Sequence, residues 1–294
     1  MTEQNFRRID LADWTLAGEG ATSLTYNHKE DTSVMLKLVS PNAFVEGASS
    51  EESFGLCCSE YENTKKIKAM GISIPDAIEI VDVNGIAGII YERIEDKKSF
   101  ARVIADEPDR LPEMAKLLAA EAKKLHSTPC NINAFPDMRK RLLNILAAAD
   151  YLESSVRKEA EKRLQELPDA RNCIHGDLSL GNILLSGEKT YWIDLGDFSY
   201  GSSWLDLGIL YFFTKHRDDF KEPMFHLSNE TLAIFWDWFL PAYLGTNEAK
   251  IIQKAEETAK KYTFVFLLKT CEEGHTRQVP LEMVSKVISG LLLP

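Results

Sequence analysis

Up to about residue 95 the apolar and β-branched positions come in short alternating runs broken by turn residues; beyond it they recur at helical spacing. Residues 14–17 read as a strand entering Gly18-Glu19-Gly20, and residues 24–27 as its partner. Residues 33–39 (SVMLKLV) alternate and are β-branched, which predicts a third strand. A polar stretch with Pro41, Asn42 and Gly47 follows. Residues 51–70 read as a helix ending at Gly71, a residue free to adopt the left-handed turn that closes helices. Residues 77–83 and 86–91 read as a hairpin across 82–85.

In the second part, Met114, Leu117, Leu118, Ala122 and Leu125 give residues 112–126 a helical period. Residues 139–152 and 156–167 follow it too. A short island of strand and loop, 173–197, interrupts them. Helices are then predicted over 204–214, 230–240, 248–271 and 281–292, the third starting from a Thr246 or Asn247 cap. The pattern predicts a small β-rich lobe with one helix, residues 1–95, and a larger, mostly helical lobe, residues 98–294, joined by a hinge at about 91–97.

With 294 residues, 45% of them hydrophobic and 27% charged, the chain carries enough apolar material for a sizeable core. Its formal net charge of -11 gives no case for nucleic-acid or anionic-membrane partners. The opening MTEQNFRRID lacks a signal-peptide core, and apolar stretches such as 264–268 are too short to cross a bilayer. Cys57, Cys58, Cys130, Cys173 and Cys271 are odd in number and scattered, with no C-x-x-C spacing. That argues against a disulfide framework or a zinc site and for reduced thiols in a cytoplasmic protein.

The chemistry concentrates in the island. Asp177 and Asn182 lie in one glycine-containing loop. Residues 183–185 form a strand, Ser186-Gly187-Glu188 turns it, and 191–193 return, which brings Asp194 back towards Asn182. One carboxylate and one amide oxygen converge, the hard ligands that Mg²⁺ takes beside the phosphate oxygens of a nucleotide. The Asp177 carboxylate stays near the same loop and can accept a proton from an attacking hydroxyl.

This run resembles the catalytic core of kinase-fold phosphotransferases, and more narrowly the aminoglycoside phosphotransferase and choline kinase superfamily. Where protein kinases carry H-R-D-x-x-x-x-N, this chain has His175-Gly176-Asp177, four residues, then Asn182. The H-G-D form is typical of the small-molecule branch. The resemblance implies an α+β, bilobal protein-kinase-like fold with a nucleotide-binding first lobe. It makes Asp177 the catalytic base, Asn182 a Mg²⁺ ligand and Asp194 the main Mg²⁺ ligand. His175 braces the loop, and Asp206, within Trp204-Leu205-Asp206-Leu207-Gly208, braces it through backbone N–H groups. The implied reaction moves the γ-phosphate of ATP or GTP to a hydroxyl of a small molecule such as a sugar, amino sugar, aminoglycoside or amino alcohol.

Other features fit that resemblance. Gly18-Glu19-Gly20-Ala21-Thr22-Ser23 joins two predicted strands, where backbone N–H groups can lie over phosphates. No G-K-[ST] follows, so it is not a Walker loop. Lys37, between Leu36 and Leu38, needs an anionic partner. The resemblance makes it a phosphate ligand paired with Glu60, or else Glu62, on the following helix. Backbone groups from Glu92 to Ile94 would meet a purine base; the glycine common after that segment is here Asp96. Leu125-His126-Ser127 closes a helix as in the small-molecule branch, with a structural role for His126. Asp197 faces substrate or holds its loop. Glu272-Glu273 stands as a surface pair or an amine-binding one. Two other readings remain: an atypical Rio-like protein kinase, and a nucleotide-binding regulator without catalysis.

Overall fold

The computed structural model describes residues 6–19, 23–39, 50–216, 221–270 and 280–293. They fall into two units, one of residues up to 97 with 185–193, the other of residues 98–184 and 194 onward.

The first unit holds β1 (Arg7–Arg8), β2 (Trp14–Glu19), β3 (Ser23–His28), β4 (Val34–Val39), α1 (Ser50–Ala69), β5 (Ala77–Val83) and β6 (Ile86–Glu92). The strands make one sheet in the order β1-β5-β6-β4-β3-β2. The β5–β6 turn puts Asn84 at φ 53° and Gly85 at φ 86°, the two left-handed residues that a tight hairpin with right-handed strand twist requires. Side chains alternate across each strand. Leu36 and Leu38 join Trp14, Val81, Val83 and Ile90 in one core. Met35, one position off, packs on the other face with Cys57 of α1, Ile89 and Tyr91. The same alternation assigns Lys37 to the face that α1 covers.

The second unit begins with β7 (Lys98–Ser99), α2 (Phe100–Asp106), α3 (Leu111–Ser127), α4 (Met138–Ala147), α5 (Ser154–Gln165) and β8 (Asn172–Ile174). After β9 (Ile183–Ser186) and β10 (Lys189–Trp192) come β11 (Ser199–Gly201), α6 (Trp204–Lys215), α7 (Lys221–Phe225), α8 (Asn229–Leu244), α9 (Ala249–Lys260), α10 (Phe264–Thr270) and α11 (Leu281–Leu292). The core helix is α6, almost wholly apolar and buried along most of its length.

Three sequence expectations change. The sequence predicts one helix over 248–271, but the chain breaks between Lys260 and Phe264, where Thr263 turns its hydroxyl to the Lys260 carbonyl at 2.9 Å. The break seats the Tyr262 backbone on Gly208 of α6, where a Cβ would lie 2.7 Å from the Tyr262 oxygen. The helix expected over 139–152 ends at Ala147. Residues 185–193, expected within the larger lobe, belong to the first unit. There the Trp192 amide donates to the Ser73 carbonyl at 2.9 Å, and the Ser186 hydroxyl donates to Glu95 O at 2.7 Å. Among the described residues no helix is long and apolar enough to cross a membrane.

Candidate active site

Two short strands set up the site in the second unit. β8 pairs antiparallel with β11, with Ile174 opposite Ser199. The loop that leaves β8 at His175 therefore starts beside the end of the loop that enters β11 from Asp194. The two loops touch directly. Gly176 sits at φ 81°, and a Cβ on it would fall 2.2 Å from the Asp197 carbonyl oxygen. Only glycine meets both demands at that position.

Asp206, in the first turn of α6, is fully buried beneath the loop. One carboxylate oxygen accepts the Gly176 amide at 2.8 Å, the other the His175 amide at 2.7 Å. The second oxygen also meets His126 Nε2 at 3.0 Å. A carboxylate only accepts, so His126 donates from Nε2, and in the neutral ring Nδ1 accepts from the Tyr243 hydroxyl at 2.9 Å. Burial pushes the Asp206 carboxyl up, but the His126 hydrogen bond and the neighbouring backbone donor outweigh it and hold it below the ordinary aspartate range. His175, itself buried, accepts the Asp177 amide on Nδ1 at 3.2 Å.

Asp177 and Asn182 are directly bonded. The Asn182 amide nitrogen donates to the Asp177 main-chain oxygen at 2.8 Å and to its Oδ2 at 2.9 Å. Both amide hydrogens are thus committed, and the Asn182 side-chain carbonyl is left to accept a further partner or ligate. Asp177 Oδ1 is buried and has no hydrogen-bond partner among the described residues. Burial raises the Asp177 carboxyl above its ordinary value; the Lys269 and His175 charges pull it down, whereas Asp194 and Asp197 push it up. Asp194 is exposed and holds a left-handed backbone at φ 58°. Asp197 is engaged at both oxygens, with Arg141 of α4 at 2.6 Å and Lys269 of α10 at 2.5 Å, so it ties its loop to the helices behind it. Arg141 and Lys269 carry no local sequence signal, because only the tertiary fold brings them to Asp197.

In the first unit, Lys37 Nζ lies 2.8 Å from Glu60 Oε1, which also accepts the Tyr91 hydroxyl at 2.8 Å. Glu60, not Glu62, is the carboxylate on Lys37. Gly18 and Ser23 lie near the facing ends of β2 and β3, where Thr25 Oγ1 donates to the Gly18 carbonyl at 3.2 Å. Gly20 lies outside the described residues, as does the pair Glu272-Glu273. The Glu92 amide donates to Asp76 O at 2.8 Å and the Arg93 amide to Ser33 O at 2.7 Å, so two N–H groups of this segment are occupied within the unit. Ile94 is buried. Asp96 takes φ 47°, a conformation glycine adopts freely and aspartate tolerates better than most.

No group of three or more His, Cys, Asp or Glu side chains stands together as a metal cluster among the described residues. The donors in the second unit are instead hard oxygens, the Asn182 carbonyl and the Asp194 carboxylate. That set suits a hard divalent cation whose remaining ligands are water and phosphate.

The phosphotransferase enzyme family matches the chain over residues 13–237. Among solved structures, an amicoumacin kinase in complex with AMP-PNP, Ca²⁺ and amicoumacin has a TM-score of 0.58 and 16% identity, covering 97% of this chain and 90% of that one. The gentamicin complex of APH(2")-IIa has a TM-score of 0.57 and 17% identity, covering 96% and 91%. A choline/ethanolamine kinase family protein from Mesorhizobium loti has a TM-score of 0.56 and 13% identity, covering 96% and 88%. Among curated proteins none matches the chain's sequence.

Proposed function

This chain belongs to the phosphotransferase enzyme family, and we propose that it moves the γ-phosphate of ATP or GTP to a hydroxyl of a small molecule, with Asp177 as the base. The observation that carries this reading is the Asp177 carboxylate. One oxygen is held by Asn182 and the other is buried without a partner among the described residues, in a loop anchored from below by Asp206. An acceptor hydroxyl would satisfy that oxygen and hand it a proton, while the raised affinity of the carboxyl for protons favours the transfer.

Asn182 and Asp194 would hold Mg²⁺, which when bound supplies charge neutralisation for the phosphates. Lys37, oriented by Glu60, would fix the nucleotide phosphates. Glu92 and Ile94 would flank the base; with the Glu92 and Arg93 amides already occupied, main-chain groups of Ile94 are the ones proposed to meet it. Gly18 and Ser23, at the facing ends of β2 and β3, would lie by the phosphates, and His175 and Asp206 support the loop. The acceptor is an aminoglycoside, another amino sugar or an amino alcohol. The structural likeness to an amicoumacin kinase, to APH(2")-IIa in complex with gentamicin and to a choline/ethanolamine kinase family protein supports that class, as does the net charge of -11.

The test is to incubate the purified chain with Mg²⁺ and ATP or GTP against gentamicin, streptomycin, hygromycin B, choline and simple sugars, and to weigh the products. A phosphorylated acceptor supports the reading. Phosphate appearing only on the protein's own side chains would replace it with a protein-kinase reading.

A further inference from the structure

Lys269 lies in α10, beyond the segment the family matches, yet its side chain reaches the centre of the site. Its side chain is 5% exposed, and a buried ammonium group persists only with strong partners. It has two, one in each loop: the main-chain carbonyl of Gly176 and Asp197 Oδ2. The first loop carries Asp177 and the second carries Asp194.

The peptide group between Gly176 and Asp177 is planar, so its orientation fixes where the Asp177 side chain departs. Every polar atom around it is pinned. The Gly176 amide is held by Asp206, and the Asp177 amide by His175 Nδ1. The carbonyl of that peptide is held by Lys269. Removing the ammonium frees one side of the plane and releases the Asp197 carboxylate, which would then keep Arg141 as its one cation among the described residues. A hydrophobic side chain would fill the space in α10 at less cost than a buried lysine. The feature that sets this lysine apart from a packing residue is what it touches.

We infer that Lys269 is a positioning residue for phosphoryl transfer, locking the Gly176–Asp177 peptide and the Asp194–Asp197 loop in one register. This rests on the phosphotransferase reading above.

The test compares wild type with Lys269→Met, which keeps the length and removes the charge, and with Lys269→Arg. Transfer from Mg-ATP is followed to gentamicin, choline and water, and amide hydrogen exchange is followed in peptides spanning 175–182 and 194–198. Misplacement of a reacting group by about 1 Å lowers turnover roughly 100-fold. For Lys269→Met the expectation is therefore a kcat drop of that order, with KM values within about threefold of wild type. Faster exchange should be confined to those two peptides, and Lys269→Arg should recover part of the rate. A wild-type kcat, or unchanged exchange in both peptides, overturns the inference. Should Lys269→Met fail to fold, Lys269→Met/Asp197→Asn, which leaves no lone buried charge on this pair, is judged by the same criteria. A wild-type chain that transfers phosphate to none of the acceptors in the panel that tests the proposed function overturns the phosphotransferase reading instead, and the exchange data still decide the positioning claim.

Discussion

Asp206 and His126, 80 positions apart, meet in a 3.0 Å hydrogen bond beneath the His175–Asp177 loop. The same carboxylate holds two backbone amides of that loop, so one buried charge joins the end of α3 to the start of α6 and to the site. Replacing Asp206 by Asn turns an acceptor towards donors into a donor facing them, and is expected to cost about 1–3 kcal/mol. The pH dependence has a definite sign. The folded-state carboxyl titrates below its ordinary value, so its stabilisation is present above the unfolded value and is lost as pH falls through the folded one. Urea unfolding at pH 7 and near pH 3 checks this: the gap between wild type and Asp206→Asn should shrink on acidification.

Asp177 and Asp194 should separate by experiment. Asp177→Asn is expected to lower kcat by roughly 10²–10⁴-fold while Mg-nucleotide affinity stays near wild type. Asp194→Ala should remove turnover and also the Mg²⁺ dependence of nucleotide binding. Calorimetric titration with and without the metal distinguishes them.

For Lys37, which Glu60 holds at 2.8 Å, substitution by Met should weaken Mg-ATP binding by about 1.5–3 kcal/mol, the worth of a charge-assisted hydrogen bond. Glu60→Gln should have the same direction and a smaller size. Saturation curves for ATP in each variant check both.

Asp96, exposed at φ 47°, offers a stability test remote from the chemistry. A β-branched residue there pays the left-handed penalty in full, so Asp96→Val is expected to lose about 1–2 kcal/mol. Asp96→Gly should be neutral or slightly stabilising. Urea midpoints measure the difference.

Much of the fold was readable because period marks it. Short β-branched runs between turn residues marked β2 to β6, and Lys37 between two leucines called for the anionic partner that Glu60 supplies. The contact between Asp177 and Asn182 was readable because the two lie five positions apart in one loop. The rest is set by tertiary pairing that leaves no local trace. Lys269 looks like any lysine at the end of an apolar helix until Asp197 is seen against it. His126 reads as a helix-end histidine until Asp206 and Tyr243 meet its two nitrogens. The β8–β11 pair that sets the loops side by side consists of strands of three residues each, too short to show a period. Cys130 and Cys173, scattered in sequence, come together because Pro129 pairs with Asn172 and the Cys173 amide donates to the Thr128 carbonyl at 2.9 Å.

The most direct measurement of the central claim is single-turnover phosphoryl transfer from Mg-ATP and Mg-GTP to a small-molecule acceptor, run side by side with wild type and Asp177→Asn. The expected result is a phosphorylated acceptor that accumulates with wild type and is nearly absent with Asp177→Asn, although both bind the nucleotide equally well. Equal rates from the two proteins would contradict Asp177 as the base, and nucleotide bound without transfer to any hydroxyl acceptor would contradict the proposed reaction itself.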